Sequence, residues 1–137
     1  MEQILPSMPP VIRIIAMPGD TNPAGDIFGG WLLSQMDLAA GSVATRFARG
    51  RCVTAAVDGM AFLGPVMVGD EVSIFATVVG HGRSSMRIRV EAWRRHRESE
   101  DVLKVTEAVF TAVAVDANRR PRPVTPPPSY EQEKTEA

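Results

Sequence analysis

The residues best suited to chemistry lie in the first third of the chain, where a turn-rich segment runs into an apolar one. Residues 18–30 include two prolines, four glycines and the side chains of Asp20, Asn22 and Asp26, all of which favour tight turns. Residues 31–48 are rich in Leu, Met, Gln and Ala, which favour helix. The pattern therefore predicts a loop that ends at a pair of glycines and a long helix that follows it.

Gly29 and Gly30 stand where this helix is predicted to begin. The first N–H groups of a helix have no partner within it, and the aligned peptide dipoles leave partial positive charge there. Because neither glycine carries a side chain, a ligand oxygen can approach these N–H groups closely. Three interpretations stay open: an anion site, an oxyanion hole for a tetrahedral intermediate, or a glycine-rich start to a helix with no further role.

Asp37 supplies a carboxylate on the same helix. At helical spacing it shares a stripe with Leu33, Gly41 and Ala44. A neighbouring stripe is apolar and predicts contact with a core: Leu32, Met36, Ala39 or Ala40, Val43 and Phe47. Asp37 therefore lies beside the buried face, among small residues. Such a carboxylate is either a partly exposed charge or a desolvated group with a chemical role.

The elements that must position these residues follow from the hydrophobic period, which changes to two after Cys52. The first alternating segment predicts two faces, Val53, Ala55 and Val57 against Thr54, Ala56 and Asp58. Further strands are predicted over residues 11–17, 71–79, 84–95 and 102–115. About five strands, four of them consecutive, with one long helix predict an α+β fold in which an antiparallel sheet packs on the helix.

Length and composition bound the class of protein. A chain of 137 residues, 45% hydrophobic and 23% charged, predicts one globular domain, which we place at residues 11–123. Residues 1–10 are then an N-terminal extension, and the Pro-rich, charged residues 124–137 are expected to form a disordered tail. A net charge of −1 argues against nucleic acid as a partner, and no apolar run approaches the ~20 residues of a membrane span.

The cysteine and histidine residues indicate the cellular compartment and argue against a metal site. Cys52 is the only cysteine and cannot form an internal disulfide, and residues 1–10 lack the features of a signal peptide, so the cytoplasm is expected. With only His81 and His96 besides, no metal site is expected, and both histidines are expected at the surface. Motifs for nucleotide cofactors and for a serine nucleophile are missing from the sequence, so no cofactor is expected.

A family resemblance now combines these features. The chain resembles the bacterial YciA-type acyl-CoA thioesterases, which adopt the hotdog fold, a curved sheet wrapped around a central helix. The likeness begins with Asp20-Thr-Asn22, Gly25-Asp26-Ile-Phe-Gly-Gly30-Trp and Gln35-Met-Asp37. It continues through Val53-Thr54, Phe62-Leu-Gly-Pro65-Val, Val68-Gly-Asp70, Gly82-Arg-Ser-Ser85, Glu107-Ala-Val-Phe-Thr111 and Val113-Ala-Val-Asp116. It covers roughly residues 12–123, and its motif at the start of the helix is specific.

The resemblance implies an acyl-CoA hydrolase with roles for three residues. Asp37 matches the catalytic carboxylate, as either general base or nucleophile, and Asn22 matches the asparagine that orients water or the thioester. The N–H of Gly30 would donate to the oxyanion. Thioester hydrolysis requires only such parts, because a water or a carboxylate must attack while charge on the carbonyl oxygen is stabilised.

The resemblance also implies a set of substrate-binding residues: Phe28 and Gly29 beside the helix start, Thr54 as a polar contact, and the turn formed by Gly82, Arg83, Ser84 and Ser85. The turn offers N–H groups, hydroxyls and a guanidinium that suit pantetheine and phosphate, although an ordinary hairpin turn has the same composition. The chain departs from the family pattern at Ala61 and Gly64, where relatives often carry Asn and a basic residue. These two departures concern the contacts with the phosphates of CoA.

Family members form dimers in which the asparagine of one subunit meets the aspartate of the other, and the dimers commonly group into hexamers. The expected partners are therefore acyl-CoA, the product CoA and further copies of the chain, with no nucleic acid or membrane. A non-catalytic acyl-CoA sensor on the same fold is the alternative, but Asp37 with Asn22 and Gly30 favours the enzyme. A hotdog dehydratase would use a histidine base, and none is predicted near the helix.

Overall fold

The computed structural model describes residues 4–130, which form one antiparallel sheet packed against one long helix. The elements are β1 (Ile12–Ile15), a 3-10 turn (Pro18–Asp20), α1 (Gly29–Ala48), β2 (Cys52–Phe62), β3 (Glu71–His81), β4 (Ser85–Arg95) and β5 (Val102–Ala114). The strand order is β1-β3-β4-β5-β2, and every neighbouring pair is antiparallel. The predicted α+β architecture, with five strands and one helix, is confirmed.

Helix α1 buries most of the stripe that its sequence period predicts, although Val43 is only half-buried and Ala44, predicted on the stripe of Asp37, is fully buried. It begins at Gly29, two residues before the composition changes, and ends at Ala48, where Arg49 adopts a left-handed conformation with φ of 52°. The buried helical residues are Leu32, Met36, Ala39, Ala40, Ala44, Phe47 and Ala48. Because four of these are alanines, the helix can approach the sheet closely. Asp37 and Leu38 remain exposed on the other side.

The sheet buries one face against α1 and leaves the second largely polar. On β4, Met86, Ile88, Val90 and Ala92 are fully buried, as the alternation predicts, while Arg87 and Arg89 are exposed. Trp93 departs from the alternation, since it is buried on the outer face beside a register irregularity between Ala92 and Trp93. The buried side chains between the helix and the sheet therefore set the distance between α1 and the strands.

Strand β2 is one of the two edge strands of the sheet and carries two irregularities, between Thr54 and Ala56 and between Asp58 and Ala61. Thr54 pairs with Ala112 and Val57 with Phe110, and both partners belong to the buried face that packs on α1. The prediction that Thr54 and Val57 lie on opposite faces is therefore wrong. The extra residue at the first irregularity shifts the alternation by one, as a β-bulge does.

The segment after residue 123 differs from the expected disordered tail over the part that the structure describes. Val124 is buried and its N–H donates to the carbonyl of Arg83 at 2.7 Å. Tyr130 packs edge-on against Phe47, with ring centroids 4.9 Å apart. Two apolar anchors hold residues 124–130 on the domain, although prolines between them limit backbone hydrogen bonds. The remainder of the predicted tail, residues 131–137, lies outside the described residues.

None of the helices in residues 4–130 is both long enough and apolar enough to cross a membrane.

The N-terminal extension leads into the sheet at Val11, whose N–H donates to the carbonyl of Ile74 at 2.8 Å. The boundary of the domain at residue 11 stays a prediction.

Candidate active site

The loop before α1 fixes the side chain of Asn22 in one orientation. Its Oδ1 accepts hydrogen bonds from the backbone N–H groups of Ala24 at 3.0 Å and Asp26 at 3.1 Å. The backbone N–H of Asn22 also donates to the carbonyl of Asp26 at 2.7 Å. Because the carbonyl oxygen serves the loop, the Nδ2 amide is the end of the side chain left to meet a ligand. Within residues 4–130 it has no hydrogen-bond acceptor.

The start of α1 leaves two backbone donors available. Phe28 precedes the helix and its side chain makes no capping hydrogen bond. The first helical bonds come from the N–H groups of Trp31 and Leu32, which both donate to the carbonyl of Phe28 at 3.1 and 3.3 Å. The N–H groups of Gly29 and Gly30 are therefore without a backbone acceptor in the described part of the chain. This matches the predicted loop–helix junction.

The two glycines differ in what a side chain at each position would meet. A Cβ on Gly29 would lie 3.1 Å from the Phe62 ring, so Phe62 occupies the space that a side chain would need. A Cβ on Gly30 would meet no atom of the chain within 4 Å. Gly30 is thus open to a group from outside the chain, as expected of a donor to a ligand oxygen.

Among the residues that the structure describes, Asp37 has one hydrogen-bond partner, Thr54. The hydroxyl of Thr54 donates to Oδ1 of Asp37 at 2.6 Å, and both side chains are exposed. The sequence predicted Thr54 as a contact for substrate, whereas the structure pairs it with the carboxylate. The bond leaves Oδ2 of Asp37 free for another partner. Thr54 faces the helix because it pairs with Ala112, which belongs to the sheet face that packs on α1.

Asp37 and Gly30 cannot act on the same carbonyl from within one chain. They are seven residues apart on α1, which is about 10 Å along a helix that rises about 1.5 Å per residue. A tetrahedral centre needs both its oxyanion donor and its base within about 3 Å. No hydrogen bond joins Asn22 or Gly30 to Asp37 anywhere in residues 4–130. The chain therefore presents two half-sites: Asn22 with Gly30, and Asp37 with Thr54.

The predicted CoA-binding turn lies near the second half-site. The turn connects β3 to β4 and is closed by the N–H of Gly82, which donates to the carbonyl of Ser85 at 2.9 Å. Ser85 pairs with Val113 and Val113 with Val53, the neighbour of Thr54. Two strand spacings, or about 10 Å, thus separate Ser85 from Val53. The Arg83 guanidinium is exposed and forms no ion pair with a described residue.

The backbone of this turn also holds the chain's C-terminal segment. The carbonyl of Ser84 accepts the N–H of Ala114 at 2.8 Å, and that of Arg83 accepts Val124. These carbonyls are therefore committed to the fold. The Arg83 guanidinium and the hydroxyls of Ser84 and Ser85 are not used in this way and can meet a ligand.

A cavity of about 400 Å³ opens beside the first half-site. Phe28, a predicted substrate-binding residue, lines it, together with Gly29, Leu32 and the residues around Phe62. Sequence reasoning assigned no role to Phe62, because its contact with Gly29 joins positions that are far apart in the chain. A larger cavity of about 780 Å³ lies between the C-terminal half of α1 and β3, and contains no predicted site residue.

The remaining ionisable groups lie outside the half-sites. Burial raises the pKa of the Cys52 thiol, partly offset by the nearby Arg122 guanidinium. His96 Nδ1 lies 2.8 Å from Oδ1 of the buried Asp70, so this histidine stabilises the turn that contains Asp70. Among residues 4–130, three or more His, Cys, Asp or Glu side chains nowhere converge as metal ligands would.

Comparison with known proteins identifies the class to which this fold and these half-sites correspond. The profile of the thioesterase superfamily matches residues 24–100, and the chain belongs to this family. An acyl-CoA thioester hydrolase from Zymomonas mobilis, itself uncharacterised, is 50% identical over 125 residues, covering 91% of this chain and 84% of the relative. The acyl-CoA thioester hydrolase YciA of Escherichia coli is 50% identical over 115 residues, covering 82% and 87%. The predicted resemblance to YciA-type thioesterases is confirmed.

Solved structures support the same assignment. A hexameric thioesterase from Yersinia pestis superimposes with a TM-score of 0.85 at 48% identity, over 90% of this chain and 100% of the other. A hexameric hotdog-fold thioesterase from Campylobacter jejuni gives a TM-score of 0.82 at 37% identity, over 93% and 96%. The predicted hotdog fold is therefore confirmed.

Proposed function

We propose that this protein hydrolyses acyl-CoA to free CoA and a carboxylic acid, at sites assembled between two copies of the chain. The observation that carries the proposal is the separation of the two half-sites by about 10 Å along α1. One half-site offers donors for a carbonyl oxygen, and the other offers a carboxylate oriented by a hydroxyl. Relatives that are 50% identical and named acyl-CoA thioester hydrolases support the reaction.

Each half-site has one role in the proposed reaction. The N–H of Gly30 donates to the thioester oxygen and stabilises the charge that develops on it, and Nδ2 of Asn22 orients the thioester or the water. Asp37 acts through its free Oδ2, either by removing a proton from the attacking water or by attacking the carbonyl carbon itself. In the first case the water oxygen adds to the carbonyl carbon, the tetrahedral intermediate expels the CoA thiolate, and the proton taken up by Asp37 passes to that thiolate. In the second case the carboxylate displaces the CoA thiolate to form a mixed anhydride, and water hydrolyses the anhydride, which restores Asp37 and releases the carboxylic acid whose proton neutralises the thiolate.

Strand β2 is the surface that brings the half-sites together. It is an edge strand with exposed apolar side chains, Val53 at 41%, Val57 at 39% and Phe62 at 54% exposure, and such an edge favours pairing with another strand. Two β2 strands that pair antiparallel about their middle place the Thr54 end of one against the Phe62 end of the other. Asp37 of one copy then approaches Gly29 and Gly30 of its partner.

Larger assembly and location follow from the same relatives and from composition. Since the solved relatives from Yersinia pestis and Campylobacter jejuni are hexameric, we propose that dimers of this chain group into a hexamer, a trimer of dimers. The single cysteine, Cys52, supports the reducing cytoplasm as the site of action.

The CoA portion of the substrate is assigned to the turn between β3 and β4. Arg83 is suited to a phosphate because its guanidinium is exposed and forms no ion pair with a described residue. The hydroxyls of Ser84 and Ser85 lie closer to Thr54 and suit the amide groups of pantetheine. The thioester then lies between this turn and the Gly30 half-site of the partner.

The test is turnover of a panel of acyl-CoA substrates, followed with a thiol reagent, for the wild type and for Asp37→Asn. The substitution keeps the side-chain volume but removes the base or nucleophile, so kcat should fall about 10²- to 10⁴-fold. Asp101→Asn is the matched control, because Asp101 is an exposed carboxylate in the connection between β4 and β5, away from strand β2 and from both half-sites. Tight acyl-CoA binding without turnover by the wild type would instead favour the sensor.

A further inference from the structure

Phe62 is the last residue of β2 and lies against the start of α1. Its Cζ atom lies 3.1 Å from the position that a Cβ on Gly29 would occupy, and two further ring atoms lie at 3.6 and 3.7 Å. The ring therefore covers the glycine that precedes the proposed oxyanion donor. It is still 54% exposed, so it is not part of the core that holds the fold together.

The cavity beside this contact has an apolar wall. Ile27, Leu32, Val66 and Val105 form its buried side. Phe28, Phe62 and Leu63 line it as well and are 48%, 54% and 60% exposed. Of the described residues that line it, Asp26 alone is charged, and it is itself exposed. A cavity of about 400 Å³ with this lining suits an unbranched hydrocarbon chain better than it suits a polar group.

The position of the cavity relative to the reacting carbonyl identifies the occupant. Gly29 is shared between the cavity wall and the pair of free N–H groups at the helix start. When the thioester oxygen accepts the N–H of Gly30, the carbon chain begins one bond from the carbonyl carbon, at the mouth of the cavity. The sulfur and CoA leave in the opposite direction, towards the partner's turn between β3 and β4.

We propose that this cavity holds the acyl chain of the substrate and that the Phe62 ring limits the length of chain it accepts. The inference rests on the proposed function, because it uses the oxyanion role of Gly30. It goes further by assigning a specificity role to Phe62. The ring covers Gly29 and takes up space along the path of the chain. Removing the ring opens that space to additional methylene groups.

The experiment compares kcat/KM across a series of saturated acyl-CoA substrates for wild type, Phe62→Leu and Phe62→Ala. Each additional methylene that becomes buried should raise kcat/KM about fourfold. If the space vacated by the ring admits about three methylenes, the ratio of long- to short-chain kcat/KM should rise up to roughly 60-fold in Phe62→Ala. Phe62→Leu should shift the ratio in the same direction by less.

Met67→Ala is the matched control. Met67 is 53% exposed and lies in the connection between β2 and β3, a few residues after Phe62, but it does not line the cavity. Its truncation should leave the chain-length profile unchanged. Sedimentation of each variant shows whether the assembly is intact, and Phe62→Leu decides the matter if Phe62→Ala fails to assemble.

The outcomes separate the two proposals. If the wild type hydrolyses no acyl-CoA, the proposed function fails. If the wild type is active and the assembled Phe62 variants keep its chain-length optimum, the role of Phe62 is refuted while the proposed function stands.

Discussion

The hydrogen bond between Thr54 and Asp37 gives the sharpest test of how the carboxylate is held. Thr54→Val removes the hydroxyl that donates to Oδ1 at 2.6 Å and preserves the shape of the side chain. Without this donor the Asp37 side chain can rotate away from the position that directs Oδ2 at the thioester. We therefore expect kcat to fall while assembly persists, because the hydroxyl adds nothing to the buried core.

The magnitude follows from the exposure of the pair. A hydrogen bond to a charged group contributes about 1.5–3 kcal/mol. Since both side chains are exposed, water replaces part of the interaction, and the lower end of the range applies. About 1.5 kcal/mol lost from the transition state corresponds to a roughly tenfold decrease in kcat. Thr54→Ser keeps the hydroxyl and should retain most of the activity.

The assay is a double-mutant cycle of kcat with Thr54→Val and Asp37→Asn. If the hydroxyl acts only through the carboxylate, adding Thr54→Val to Asp37→Asn should cost nothing further. Independent tenfold losses in both backgrounds would show that Thr54 touches the substrate directly, and would refute the assignment of Thr54 as a positioning residue for Asp37. Wild-type kcat in Thr54→Val would show that the bond has no part in catalysis.

The remaining predictions concern the shared site and the CoA contact. Asn22→Ala and Asp37→Asn should each be nearly inactive alone, but mixed subunits should regain activity, because a heterodimer contains one intact pair of half-sites. Activity that stays absent after subunit exchange is verified by mass spectrometry would contradict the shared site. Arg83→Ala should raise KM for acyl-CoA about tenfold with little change in kcat, as expected when a remote charged contact worth about 1.5 kcal/mol binds substrate and transition state alike. Equal inhibition of variant and wild type by free CoA would make Arg83 an ordinary turn residue.

Much of the fold was readable from short-range patterns. The composition change near residue 30 predicted α1 to within two residues, and its helical period predicted the buried stripe that includes Leu32, Met36 and Phe47. The alternation in β4 likewise predicted which side chains face α1, with Trp93 as the exception. These features depend on neighbours within a few positions, so propensity and period suffice to predict them.

The features of the candidate site also divide into those set by local sequence and those set by tertiary structure. The chain's own sequence determined the loop with Asn22, the glycine pair at the start of a helix and the place of Asp37 beside the buried face, because each is a local pattern of residue types. Tertiary structure alone decided that Thr54 points at Asp37, since the pairing of β2 with β5 sets which face of the sheet Thr54 occupies. It also decided that Phe62 covers Gly29, a contact between residues 33 positions apart that no local period encodes. Strand register and the packing of helix on sheet bring such distant positions together, and they are set by the whole core.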